Sequence, residues 1–217
     1  MKILDEIPRI IHQIWLGESP ENPAPMKWIN TWKTKNPNYE HKLWTDKDMN
    51  DIPDSILELM NGTKRIIQKA DILRYWVLYE YGGIYADADS ECVKPIESLI
   101  NDAESNDGPS IIVAYEKEKH RFDLIGNSFL ASSAKSKFMA ELVARLPTWI
   151  HTDKRPWMST GPYLVTMTVR EMYPDYKPLP WYYIYQKSTI DDDSVIQPCY
   201  TRQYWCAGRT NNYKAAM

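Results

Sequence analysis

Ala70 to Glu91 reads ADILRYWVLYEYGGIYADADSE, and the architecture turns on how this stretch is read. In the longer run Thr63–Gly83, Ile66, Ala70, Leu73 and Val77 recur at spacings of four, three and four, the period of one helical face. Gly82 and Gly83 stand where a helix stops. Gly83–Ala86, GIYA, then reads as a very short buried strand. Asp87 and Asp89 fall at its C-terminal end. In extended chain, residues i and i+2 point to the same side, so the two carboxylates repel unless a cation or proton lies between them. A hard divalent cation such as Mg²⁺ or Mn²⁺ favours oxygen ligands, often one or two carboxylates plus substrate phosphates. The bland alternative is a solvated acidic turn continued by Ser90 and Glu91, and a bare D-x-D favours it.

Towards the N-terminus, IPRIIHQIWLG (Ile7–Gly17) is apolar and β-branched and reads as a buried strand. PAPMKWINTWKTKNP predicts a short helix between prolines, and YEHKLWTD a second strand, with Thr45 or Asp46 capping the next helix. SIIVAYE, GNSFLAS and PWYYIYQ are expected strands. AKSKFMAELVARLP is an expected helix stopped by its proline, and STGPYLVTMTVREMY a loop and then a helix. The last stretch, IQPCYTRQYWCAGRTNNY, reads as irregular. Alternating strands and helices favour an α/β sheet covered on both faces. Ligands in such sheets sit beyond the C-terminal ends of the strands, where Asp87 and Asp89 are expected.

The 217 residues suffice for one large domain or two small ones. A net charge of −3 gives no electrostatic case for nucleic acid. Tyr (15) and Trp (9) far outnumber Phe (3), which suits cores and binding surfaces alike. Cys92, Cys199 and Cys206 form no C-x-x-C, so neither a disulfide framework nor a zinc site is expected. They read as reduced thiols of a cytoplasmic protein. The N-terminus shows no signal-peptide pattern, and no stretch approaches the ~20 apolar residues of a membrane span. Peripheral membrane attachment stays compatible with the sequence.

Further candidates each carry two readings. Asp71 and Arg74 share a helical face. As a surface pair they would contribute at most ~0.5 kcal/mol, but their apolar surroundings predict burial, and an anionic, hydroxyl-rich ligand would account for that. Trp15 either fills the core or stacks on a flat ring at the strand edge. His12 reads as a core or supporting residue, and Thr160 as a helix cap rather than a ligand contact. Asn127 and Ser128 satisfy either backbone or a sugar. Asp191–Asp193 reads as a solvated loop.

Taken jointly, IPRIIHQIWLG, ADILRYWVLYEYGGIYADADSE and KPIESL resemble glycosyltransferase family 32, the group with a DXD sugar-binding region that includes α-1,6-mannosyltransferase-like and capsular polysaccharide enzymes. Clostridial glucosylating toxins share its core. The resemblance is clear over about residues 7–97 and weaker over Asn127–Ser133 and Thr160–Pro162. It implies a GT-A fold: one Rossmann-like α/β domain over 1–217 with a mostly parallel central sheet, donor-binding part about 7–97 and acceptor side about 98–217. It implies a retaining enzyme that moves a hexose from a nucleotide sugar, UDP-hexose before GDP-mannose, to a glycan or glycolipid hydroxyl, with Mn²⁺ or Mg²⁺. By position, Trp15 would stack on the base beside Leu16. Asp71, Arg74 and Tyr75 would hold ribose, sugar or diphosphate, and Gly83, Tyr85 and Asn127 would border the donor. Asp87 would serve ribose and sugar and share the metal that Asp89 anchors. Arg74, Asp87 and Asp89 are the expected catalytic set. The C-terminal segment departs from the pattern. Gln203 and Tyr204 stand where relatives carry histidines, and Gly208 and Arg209 where they carry Ser-Trp, which makes Arg202 or Arg209 the candidate diphosphate contact. Two competing readings are a haloacid-dehalogenase-type phosphohydrolase, opposed by Glu91 two residues after the second Asp, and a carbohydrate-binding module.

Overall fold

β1 (Ile10–Ile14), α1 (Met26–Lys35) and β2 (Glu40–Trp44) form the first crossover unit. The computed structural model describes residues 6–104, 110–116, 123–153, 155–187 and 198–204. Thr45 caps a 3₁₀ turn (Asp46–Asp51) with a reciprocal bond from Asp48, as a capping box does. There follow α2 (Asp54–Asn61), α3 (Ile66–Tyr81), β3 (Gly83–Ala86), β4 (Ser90–Cys92), α4 (Glu97–Glu104), β5 (Ile111–Ile112), β6 (Phe129–Ser132), α5 (Lys137–Trp149), α6 (Pro156–Ser159), α7 (Pro162–Met172), β7 (Gln186–Lys187) and β8 (Thr201–Gln203).

The main sheet has the order β2-β1-β3-β6-β5. β1 is parallel to β2 and β3, while β6 runs against β3 and β5 against β6. Four of these five strands therefore point one way, the mixed and mostly parallel sheet expected. Alternation along the strands feeds two cores. Ile84, Ala86, Phe129 and Ala131 join Trp32, Ile96 and Ile100 on one face. Tyr85 and Leu130 join Leu73, Val77, Phe138 and Leu164 on the other. A small second sheet, β4-β8-β7, lies beside it.

Several local readings are corrected. Ile66 does not belong to a buried stripe: it is 47% exposed, whereas Asp71 through Leu78 are all buried. α3 is covered on nearly every face, so a single stripe is the wrong template for it. Pro147 lies inside α5 rather than ending it, and the helix runs on to Trp149. The expected strand PWYYIYQ is a 3₁₀ turn over Trp181–Tyr183, with only Gln186 and Lys187 extended. SIIVAYE is extended only at Ile111–Ile112, with isolated bridges at Ala114 and Tyr115. The "irregular" C-terminal stretch supplies β8, which pairs antiparallel with β4 next to the D-x-D. Asp191–Asp193, Cys206, Gly208 and Arg209 lie outside the described residues.

Candidate active site

The site is built at the C-terminal end of β3. Gly82 has φ +65° and Gly83 φ +89°, and a Cβ on Gly83 would lie 2.5 Å from the Ile10 carbonyl oxygen. Only glycine permits that approach of α3 and β3 to β1. Beyond Ala86 the chain turns instead of running extended. The Asp87 carbonyl accepts from Ser90 N (3.1 Å) and Ser90 Oγ (2.6 Å). The same-side argument for extended chain therefore does not apply: a tight turn carries the two carboxylates, close enough for the charge of Asp89 to act on Asp87. Asp87 N donates to Ser128 O at 2.9 Å. Gln13 Nε2 reaches the Asp87 carbonyl at 3.3 Å while its Oε1 meets His41 Nε2 at 2.8 Å. Ala88, within the turn, packs with Trp15 and Ile29.

Arg74 is the hub. Its Nη2 lies 3.2 Å from Asp71 Oδ1 and 3.3 Å from Asp87 Oδ1, and its Nη1 donates to the Asn127 carbonyl. The guanidinium rests 4.4 Å from the Tyr85 ring centroid, a cation–π contact. Tyr85 OH donates to Asp87 Oδ1 at 2.7 Å. Asp71 also accepts from Asn127 Nδ2 (2.8 Å, Oδ1) and Thr160 Oγ1 (2.8 Å, Oδ2). Thr160 is thus a support for Asp71 and not the helix cap expected of it; α7 has no side-chain cap. Tyr75 OH donates to the Thr160 carbonyl at 2.6 Å. The structure therefore brings Asp71, Arg74, Tyr75, Tyr85, Asp87 and Asn127 into one network. Leu16 is buried in the adjoining core.

Burial dominates the electrostatics. It raises the Asp71 carboxyl, with Arg74, Thr160 and Asn127 pulling the other way. Asp87 is pushed up to about 7, first by burial; Arg74 opposes this and the charge of Asp89 adds to it. Burial opposes the Arg74 charge too, but Tyr85, Asp87 and Asp71 outweigh it and hold the guanidinium firmly protonated. Its Nε and the Ser128 hydroxyl are buried without a hydrogen-bond partner among the described residues. Such groups carry a penalty that a polar ligand removes.

Asp89 is 5% exposed. Among the described residues no three His, Cys, Asp or Glu side chains converge as a metal cage. Among the described residues, what this turn offers a cation is two neighbouring carboxylates, one already disfavoured in its charged form. That fits a hard divalent ion whose remaining positions are filled by water and phosphate. Trp15 is 6% exposed, with its indole N–H donating to Asn22 O at 3.3 Å. The C-terminal segment lies against the same turn. Tyr204 stacks on Trp28 (4.5 Å, 23°), its OH donates to Glu91 Oε2 at 2.8 Å and its N–H to the Asp89 carbonyl at 3.3 Å. Arg202 faces Glu91 across the β4–β8 ladder. Gln13 and the Tyr204 anchor were missed from sequence; the only signal for Gln13 was a buried polar residue in an apolar strand.

The family described as "Glycosyltransferase sugar-binding region containing DXD motif" matches residues 23–106. Over those residues the chain is similar to this family. The match to the DXD glycosyltransferases covers α1 through α4, including the turn and the Arg74 hub. Inositol phosphoceramide mannosyltransferases 3 and 1 of Schizosaccharomyces pombe are 29% and 28% identical over 74% and 73% of the chain, and 44% and 50% of their own lengths. The chain spans about half the length of the curated relatives it matches. Among solved structures, the PaToxG glycosyltransferase superposes with a TM-score of 0.57 at 19% identity, covering 78% of this chain and 71% of that one. This likeness bears on the fold, the GT-A arrangement of the DXD glycosyltransferases.

Proposed function

We propose that the chain transfers a hexose from a nucleoside-diphosphate sugar to a hydroxyl of a glycan or glycolipid, with retention of anomeric configuration and with the help of Mn²⁺ or Mg²⁺. The observation that carries this reading is the Asp87–Asp89 turn held by the Arg74 hub within the matched sugar-binding region. Relatives named mannosyltransferases put mannose among the first sugars to test, beside the UDP-hexoses favoured from sequence.

Each side chain has a role that its contacts support. Asp87 and Asp89 would hold the divalent ion, which when bound supplies charge stabilisation for the departing diphosphate. Asp71, fixed by Thr160 and Asn127, orients sugar hydroxyls as an acceptor. Arg74 keeps Asp71 and Asp87 in register, and its unpartnered Nε is a donor for the phosphate end. The base would lie over the turn near Trp15. Asp87, with one oxygen bound by both Tyr85 and Arg74, is a poor nucleophile, which weighs against the phosphohydrolase reading and for attack on the same face assisted by the leaving phosphate. Positioning and charge stabilisation then carry most of the rate.

A thermal-shift series with UDP-, GDP- and dTDP-sugars, each with and without Mn²⁺, tests the proposal. A metal-dependent rise in melting temperature for one nucleotide class is expected. No shift for any donor, with stabilisation by free glycan alone, would point to a binding module instead.

A further inference from the structure

Four large hydrophobic side chains stand exposed among the described residues: Met26 (47%), Ile66 (47%), Ile67 (44%) and Tyr81 (40%). Topology puts the first three at one edge of the molecule. α1 leaves the end of β1 and returns to a parallel β2, so Met26 begins its helix at the C-terminal edge of the sheet. α3 ends at Tyr81, next to the start of β3, so its first residues, Ile66 and Ile67, lie at the far end of β3, where Asp87 and Asp89 sit. Contacts agree with this placement. A Cβ on Gly17 would lie 2.5 Å from Ile66 Cδ1, so Ile66 sits on the loop that follows Trp15. Gln68 Nε2 donates at 2.9 Å to Ser159 Oγ, beside Thr160 and its bond to Asp71. Ile67 precedes Asp71 by four residues, which puts both on one helical face.

The start of α3 is basic. Lys64 and Arg65 are exposed directly before Ile66, Lys27 is exposed after Met26, and no acid occurs between Met60 and Asp71. The acids beside it are each bonded to the adjoining loop: Glu18 Oε1 accepts from Ala24 N at 3.1 Å, Glu21 Oε2 from Ser19 Oγ at 3.0 Å and Asp46 Oδ2 from Gly17 N at 2.7 Å. The half-buried Trp157, two residues from the Gln68-bound Ser159, adds an aromatic to the same side. Exposed aliphatics flanked by bases, with a Trp alongside, match the chemistry of a bilayer interface: apolar side chains enter the headgroup layer, bases meet anionic lipid, and Trp prefers the boundary.

We infer that this edge docks on an anionic lipid bilayer, with Ile66 and Ile67 as the inserting pair and Lys64 and Arg65 as headgroup contacts, so that the mouth of the site faces the membrane. Docking rests on the surface and not on transfer, so it is read without turnover.

The test is flotation of the 217-residue chain with vesicles of phosphatidylcholine alone or mixed with phosphatidylglycerol, at low and high salt. The wild type should float with the mixed vesicles and not the neutral ones, and should release as salt screens the charges. Ile66→Ser/Ile67→Ser and Lys64→Glu/Arg65→Glu should each weaken partition by about tenfold or more. Both should keep the wild-type melting temperature and oligomeric state. Absence of wild-type binding, or equal binding by wild type and both variants, overturns the inference. So does conversion of a wild-type dimer to monomer by the Ile pair without change in flotation, which would assign the patch to a second copy of the chain.

Discussion

The roles of the site side chains are set by what each already touches. Asp87 is constrained twice through its carboxylate, by Tyr85 and Arg74, and again through its carbonyl, by Gln13 and Ser90. It is a placed group more than a mobile one. Asp89, one residue beyond Ala88, is the better candidate for the principal metal ligand. Trp15 packs with Ala88 of the turn, so its loss should act on the nucleotide and on the turn together. Trp15→Ala should weaken nucleoside-diphosphate binding by roughly 1–3 kcal/mol, the range of base–aromatic contacts, measured by calorimetric titration with Mn²⁺ present. Unchanged affinity would remove Trp15 from the donor site. The existence of this network was legible because Asp71 and Arg74 sit in an otherwise apolar helix. Thr160 was misread because a Thr before a helix more often caps it, and only the fold shows that its hydroxyl is directed to a carboxylate 89 residues away in the sequence.

Among the elements, α3 and β3 matter most because their junction sets the position of the turn. Gly82 has a backbone that L side chains rarely adopt, and a Cβ there would meet Ala134 N at 2.4 Å and Ser133 C at 2.9 Å. Gly82→Ala should cost of order 1–3 kcal/mol, read as a lowered urea midpoint at unchanged slope. An unchanged midpoint would mean that the junction relaxes freely. The strands β1, β2, β3 and β6 were legible as apolar runs bounded by turn residues. β5 was legible as a strand but not in its two-residue extent, and the short pairings of β7 and β8 were not legible. Strands of two or three residues are fixed by their neighbours and not by their own pattern. β8 is the telling case: its sequence, TRQ, has no apolar alternation, yet it closes a sheet beside the D-x-D.

At the scale of the whole molecule, the polar groups buried under a sheet covered on both faces divide into those that are fully paired and those that are not. His12 is the paired case. It is 2% exposed, its Nδ1 accepts from Trp44 Nε1 at 3.2 Å, and its Nε2 lies 3.1 Å from the Gly82 carbonyl. Burial lowers its pKa to about 4 from 6.5. Between those values the unfolded chain binds a proton there and the folded chain does not. Its contribution is therefore present above pH 6.5 and is lost as pH falls towards 4, by about 3 kcal/mol in all. Asp87, raised to about 7 by burial, works in the opposite direction over the same range. The difference in urea midpoint between wild type and His12→Gln, followed from about pH 7 to about pH 4.5, isolates the imidazole and should shrink as pH falls. A difference independent of pH would contradict a buried neutral His12. The site is the other case, with an unpartnered Arg74 Nε and two crowded carboxylates, which under the proposed function donor and cation would complete. The most direct test of that claim is nucleotide release from the preferred nucleotide sugar, compared between wild type and Asp89→Asn across a Mn²⁺ titration. The wild type should require the metal, and Asp89→Asn should lose metal-dependent release while keeping its melting temperature. Wild-type release by a folded Asp89→Asn would contradict the account.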